Sequence, residues 1–279
     1  MNRHFLVTVS DDPQAMHAIR FLGHFFHRKD GLECTLFYVA PRDHDSPTAM
    51  IKPDARELAK GKAALEAAHD KLRHMGWPAE HLHRKTMTQR QSTAMEIVDE
   101  AHRGRYDAVV LGRRGITSFE AFMGSSISHE LLEERISFPL WLCRMPEATR
   151  KGVLCCVDGS EQSLRIVDHA GFILAGRHEH HITLCCVENG SRPEVEDLFA
   201  HCREILRQNG VPPEMIREKR LLGDSPARAL RTELHDGGYA VIALGRTGAG
   251  GGALRKLFFG SVSRDLIQTA PPATVWISR

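Results

Sequence analysis

Charge of one sign is missing from this 279-residue chain: 37 Lys and Arg stand against 35 Asp and Glu, a formal net charge of +2. That balance argues against a strongly basic nucleic-acid binder. Long hydrophobic runs are missing as well. No stretch approaches the about 18 apolar residues of a membrane span. The N-terminal Met1–Asp12 (MNRHFLVTVSDD) enters an apolar run of strand length with no small-residue cleavage site, so no signal peptide is expected. There is no G-x-x-x-x-G-K-[ST] and hence no Walker-type lysine for β- and γ-phosphates. No G-x-S-x-G elbow offers a serine nucleophile, and no H-E-x-x-H offers a zinc pair. Gly248-Ala-Gly250 follows a strand, but no βαβ unit with an acid about 20 residues on completes a dinucleotide fingerprint.

The chain does contain 42% apolar and 26% charged residues, a globular composition. It also contains a duplication. Tyr106–Gly115 (YDAVVLGRRG) returns as Tyr239–Gly248 (YAVIALGRTG), and Gly124-Ser125-Ser126 returns as Gly260-Ser261-Val262. Each half ends on a proline and a short apolar strand, Pro139–Cys143 and Pro272–Ile277. Phe5–Val9 parallels Val153–Val157 at the start of each half. The division falls near the polar Met145–Lys151, giving domains 1–145 and 151–279. Strands are expected near 4–9, 32–39, 81–87, 107–111 and 139–144, with helices near 13–27, 54–75, 91–103 and 124–135. In the second half strands are expected near 152–157, 180–187, 215–221, 239–244 and 273–278. Helices are expected there near 161–175, 194–209, 225–236 and 261–269. Alternating strands and helices, with strands apolar throughout, predict an α/β fold: a parallel sheet covered on both faces in each half.

The loop after the fourth strand carries the chemistry. Gly245-Arg246-Thr247-Gly248 leads through a glycine-rich stretch to Gly260-Ser261-Val262-Ser263. Glycines let backbone amides approach an anion closely. The start of the following helix presents amides with no intrahelical partner. Ser261 and Ser263 add hydroxyls. The plain alternative is a surface turn with a serine helix cap; its occurrence in both copies favours an anion site. Asp158, in Val157-Asp158-Gly159-Ser160, ends the first strand of the second half. Beside phosphates it suits a ribose hydroxyl or an adenine amine; otherwise it is the N-cap of the next helix.

These residues resemble the universal stress protein (UspA-like) family, as a tandem of two domains spanning essentially the whole chain. The resemblance implies, in each half, a five-stranded parallel sheet ordered 3-2-1-4-5, of the Rossmann-like, adenine nucleotide alpha hydrolase-like kind. It implies ATP (or AMP or ADP) as ligand, with Mg2+ accompanying ATP, and no other metal. Asp158 and Gly159 would meet the nucleoside and Val187 the adenine. Gly245, Arg246, Gly248, Gly260, Ser261, Val262 and Ser263 would line the phosphates. In the first half the matching positions are Val39, Gly112, Gly115, Gly124 and Ser125. The family spacing is G-x2-G-x9-G-[S/T], whereas the last spacer here is 8 residues (116–123) in one half and 11 (249–259) in the other. Ser10 stands where Asp158 stands, so the second site is the better candidate.

The implied role is a stress-response sensor or regulator acting in the cytoplasm. Its fifth strands would pair as an intrachain pseudo-dimer, with a homodimer and unknown protein partners still open. A weak ATPase and a non-binding scaffold are the alternatives. Seven cysteines, mostly in apolar runs, suit a reducing compartment and a buried apolar role. Cys155-Cys156 and Cys185-Cys186 should lie on neighbouring strands. Among 17 histidines, His178-Glu179-His180-His181 is the densest group and reads as surface.

Overall fold

The computed structural model describes residues 2–11, 16–42, 54–112, 136–143, 147–188, 195–246, 260–269 and 273–278. The chain divides into two compact units, Met1–Arg144 and Met145–Arg279. The first unit contains β1 (Arg3–Thr8), α1 (His17–Phe25), β2 (Leu32–Ala40), α2 (Ala55–His74), β3 (Leu82–Thr88), α3 (Thr93–Gly104), β4 (Ala108–Leu111) and β5 (Leu140–Leu142). The second contains β6 (Val153–Cys156), α4 (Glu161–Leu174), β7 (Ile182–Glu188), α5 (Val195–Gln208), β8 (Ile216–Leu222), α6 (Pro226–Asp236), β9 (Val241–Gly245), α7 (Ser261–Thr269) and β10 (Thr274–Ser278). The expected helix 124–135 lies outside the described residues, as do Gly115, Gly124, Ser125 and Gly248. Two 3-10 turns that periodicity did not announce, Ala79–His81 and Pro213–Met215, lead into β3 and β8.

Within each unit the strands are parallel and ordered 3-2-1-4-5: β3-β2-β1-β4-β5 and β8-β7-β6-β9-β10. The registers coincide. Phe5 pairs with Cys34 and Ala108, and Val153 pairs with Ile182 and Val241. A constant offset of 148 residues therefore relates β1 to β6 and β2 to β7. Ser10 thus occupies the place of Asp158, and Thr8 the place of Cys156.

The helices form where the sequence supplies caps and an apolar stripe. Asp54 accepts hydrogen bonds from the Arg56 and Glu57 amides at the start of α2, at 2.8 and 3.1 Å. Ser92 caps α3 through the Met95 amide at 3.2 Å, and Pro226 opens α6 where no amide is needed. Buried Ala64, Leu65, Ala68 and Leu72 seat α2. Each core centres on a tryptophan of the fifth strand, Trp141 or Trp276, both fully buried. Burial of such side chains, each worth about 1.5–3 kcal/mol, is what fixes the strand faces.

Candidate functional site

The carboxyl ends of β6 and β9 bring the second unit's candidate residues together. Cys155 pairs with Ala243, so Asp158, two residues past the end of β6, lies near Gly245, the last residue of the neighbouring β9. Gly245 is shaped by packing. A Cβ there would lie 2.9 Å from the Gln162 carbonyl carbon and 3.0 Å from the Ser163 nitrogen. The first turn of α4 thus presses directly on the end of β9, and only glycine admits that approach.

Asp158 is part-buried and held. One carboxylate oxygen accepts from the Ser160 amide at 3.0 Å and from the Ser160 hydroxyl at 2.6 Å. Its own amide donates to the Ser163 hydroxyl at 3.3 Å. The N-cap of α4 is Ser160, which accepts from the Ser163 amide at 3.2 Å. Asp158 therefore orients the cap from two residues earlier; it is not itself the cap. Gly159 supplies the turn between them with a φ of +79°, and the space where its Cβ would stand is open. Val187, buried near the end of β7, pairs with Leu221.

At the start of α7, the Gly260 amide donates to the Arg246 carbonyl at 2.9 Å, while the Gly260 carbonyl accepts from the Arg264 amide at 2.9 Å. Gly260 is therefore the N-cap of α7. Its amide is committed to the chain, which removes it from the expected donors. The amides of Ser261, Val262 and Ser263 occupy the first three helical positions, where intrahelical bonding leaves donors over. The Ser263 hydroxyl is buried and donates to the Gly245 carbonyl at 2.9 Å, tying α7 to β9. Ser261 is exposed at the helix start. The Arg246 amide is taken by the Ser278 carbonyl at 2.9 Å. The arrangement offers oriented amides, a helix dipole and one carboxylate. It can bind an anion and a polar nucleoside edge.

The first unit differs at the equivalent places. The Gly112 amide donates to the Thr8 hydroxyl at 3.3 Å, and that hydroxyl donates to the Val110 carbonyl at 3.4 Å. A side chain of the protein thus caps the first glycine of this loop. Val39 is half-buried at the end of β2, and Ser10 replaces the carboxylate.

The other groups singled out in the sequence go elsewhere. Cys156 and Cys185 are register partners on one sheet face. Burial pushes the Cys155 and Cys156 thiols up, and raises Cys185 and Cys202 to about 12. They therefore stay protonated and pack as small apolar groups. All seven cysteines are free thiols. His180 is buried and its Nδ1 accepts from the Gly152 amide at 3.0 Å, so the His178–His181 run is split between core and surface.

A duplicated polar network was missed in the sequence. Tyr106 donates to Glu100 at 2.9 Å, and Lys85 pairs with Glu100 at 2.8 Å. Tyr239 donates to Glu233 at 2.9 Å, and Lys219 pairs with Glu233 at 2.6 Å. The signal was present: a glutamate six residues before the tyrosine of each repeated segment.

The fold is that of a doubly wound α/β protein whose strand order reverses between β6 and β9 and between β1 and β4, the place where open α/β sheets bind ligands at the carboxyl ends of their strands. The family model for the universal stress protein family matches residues 1–143 and again 149–278, so the chain belongs to that family, as a tandem member. A universal stress protein from Archaeoglobus fulgidus DSM 4304 is similar over 99% of this chain and 98% of its own, with a TM-score of 0.67 and 15% identity. A functionally unknown protein from Pseudomonas aeruginosa PAO1 is similar over 99% and 92%, with a TM-score of 0.52 and 15% identity. A universal stress protein solved in complex with cAMP is similar over 47% of this chain and 97% of its own, with a TM-score of 0.39 and 21% identity. No curated protein matches the chain.

Proposed function

We propose that this protein binds an adenine nucleotide (ATP, ADP or AMP, with Mg2+ accompanying ATP), chiefly in its second unit, and acts as a stress-response sensor or regulator. The observation that carries the reading is the asymmetry between equivalent positions. The second unit has Asp158 beside Gly245, whereas the first has Ser10 and a Gly112 amide already held by Thr8. Asp158, Gly159 and Val187 would take the nucleoside. Gly245, Arg246, Gly248 and the α7 start at Ser261–Ser263 would take the phosphates. Occupancy would shift the population of conformations and so change the surface offered to partners.

Titration with ATP and AMP tests this directly. Binding should be lost or weakened at least about tenfold in Asp158→Ala, a cost of about 1.4 kcal/mol or more. Absence of wild-type binding at millimolar nucleotide overturns the reading. A scaffold role is favoured for the first unit alone, by the Thr8–Gly112 hydrogen bond. Action in the cytoplasm, homodimer formation and recognition of protein partners belong to the same proposal. Sedimentation with and without nucleotide reads the assembly. No helix among the described residues is long and apolar enough to cross a membrane.

A further inference from the structure

The solvent-facing side of α2 carries an unusual group. Glu66, His69 and Asp70 each present a ligand atom, and these atoms all lie within 4.8 Å of one another. The spacing i, i+3, i+4 explains the convergence, because residues three and four apart share a helix face. We propose that Glu66, His69 and Asp70 form a binding site for a divalent transition metal of the zinc class, separate from the nucleotide crevice. One imidazole nitrogen and two carboxylates are a donor set for Zn2+, Co2+ or Ni2+; Ca2+ and Mg2+ prefer all-oxygen sets.

Three features of the place support a metal. First, Nδ1 of His69 stands 3.5 Å from Oδ1 of Asp70. Two donors about 2.0–2.2 Å from a tetrahedral ion stand roughly 3.4 Å apart, so this edge is already close to the required length. Second, the imidazole is not a free surface group: the His69 side chain is only 12% exposed. Third, the platform is firm. α2 runs 20 residues, is capped by Asp54 and is seated by its buried stripe. One turn on, Nδ1 of His74 bonds the Asp70 carbonyl at 2.6 Å.

One neighbour opposes the metal. The Arg84 guanidinium pairs with Glu66 across to β3, so a cation must displace it. Arg84 therefore competes with the metal for Glu66. The second unit is a built-in control. The matching helix α5 has Arg203 and Glu204 in place of His69 and Asp70, and Ala200 in place of Glu66.

Calorimetric titration of the full-length protein with ZnCl2 tests the proposal, with Co2+ absorption as a second readout of the donors. One zinc per chain is expected from this site. Asp70→Asn and His69→Gln should each weaken it by at least about tenfold, with the fold checked by circular dichroism. Arg84→Gln should tighten it, because the competing cation is gone. If His69→Gln and Asp70→Asn leave the zinc isotherm unchanged, or if Arg84→Gln weakens it, the proposal fails. If wild-type protein takes up no zinc at hundred-micromolar concentration, it fails as well. Nucleotide binding should be unaffected in all of these variants, which separates this site from the nucleotide reading.

Discussion

One residue on the fourth helix distinguishes how the two cores meet acid. Phe21 stands edge-on to Trp141 in the first unit, with ring centroids 6.0 Å apart. His169 takes the same place against Trp276 in the second, at 5.8 Å. Burial drives the His169 imidazole down to about 3 from its ordinary 6.5. The folded state therefore refuses a proton that the unfolded chain accepts below 6.5. Stability is fully present above that value and is lost as pH falls toward 3, by up to a few kcal/mol. His169→Phe, copying the first unit, should shift the acid-unfolding midpoint to lower pH, as read by tryptophan fluorescence. An unchanged midpoint would show that His169 does not set the acid limit. Gly245 makes a second residue-scale case. Gly245→Ala should cost about 1–3 kcal/mol of stability through collision with the α4 backbone, measured by urea denaturation. The sequence marks this glycine only by its place in the repeated Gly-Arg-x-Gly segment. Its packing role was not legible there, because that depends on how closely α4 approaches β9.

Pairs of elements are joined by the duplicated tyrosine–glutamate–lysine network. Each glutamate sits buried on the helix before the fourth strand, and each lysine comes from the edge strand β3 or β8. Burial raises Tyr106 and Tyr239 to about 12 from an ordinary 10, with the glutamate adding to the rise in each. A raised tyrosine favours the folded state up to pH 10. That contribution is lost as pH climbs from 10 to 12, since the unfolded chain ionises first. Tyr106→Phe combined with Tyr239→Phe should therefore flatten the fall in stability between pH 10 and 12. An equally steep fall would assign it to other groups. Most strands and helices were legible in the sequence, since each apolar run is short and bounded by glycine, proline or a capping residue. The network was not found, because a glutamate in a helix reads as solvated until the sheet is laid beneath it. The 3-10 turns escaped for a similar reason, being set by the Pro78 and Pro212 carbonyls that bond three residues on.

At the scale of the whole molecule, the duplication kept the backbone scaffold while its side chains diverged. The ladders superpose residue for residue, and the backbone closures repeat: Val9 to Phe37 in one unit is Val157 to Cys185 in the other. Side chains differ inside the ladders, where Phe5 corresponds to Val153 and Phe37 to Cys185, and also at the carboxyl ends, where Thr8 corresponds to Cys156 and Ser10 to Asp158. The backbone ladder tolerates such changes where the neighbouring side chains change volume with them. The chain should then behave as one working site on a double scaffold. Calorimetry with AMP should give a stoichiometry of one nucleotide per chain, falling to none in Asp158→Ala, while Ser10→Ala changes neither affinity nor stoichiometry. Two equivalent sites per chain would mean that the hydroxyl of Thr8 releases the Gly112 amide to ligand at little cost. The first unit would then be a second receptor, and Thr8→Val, which frees that amide permanently, would be expected to tighten it.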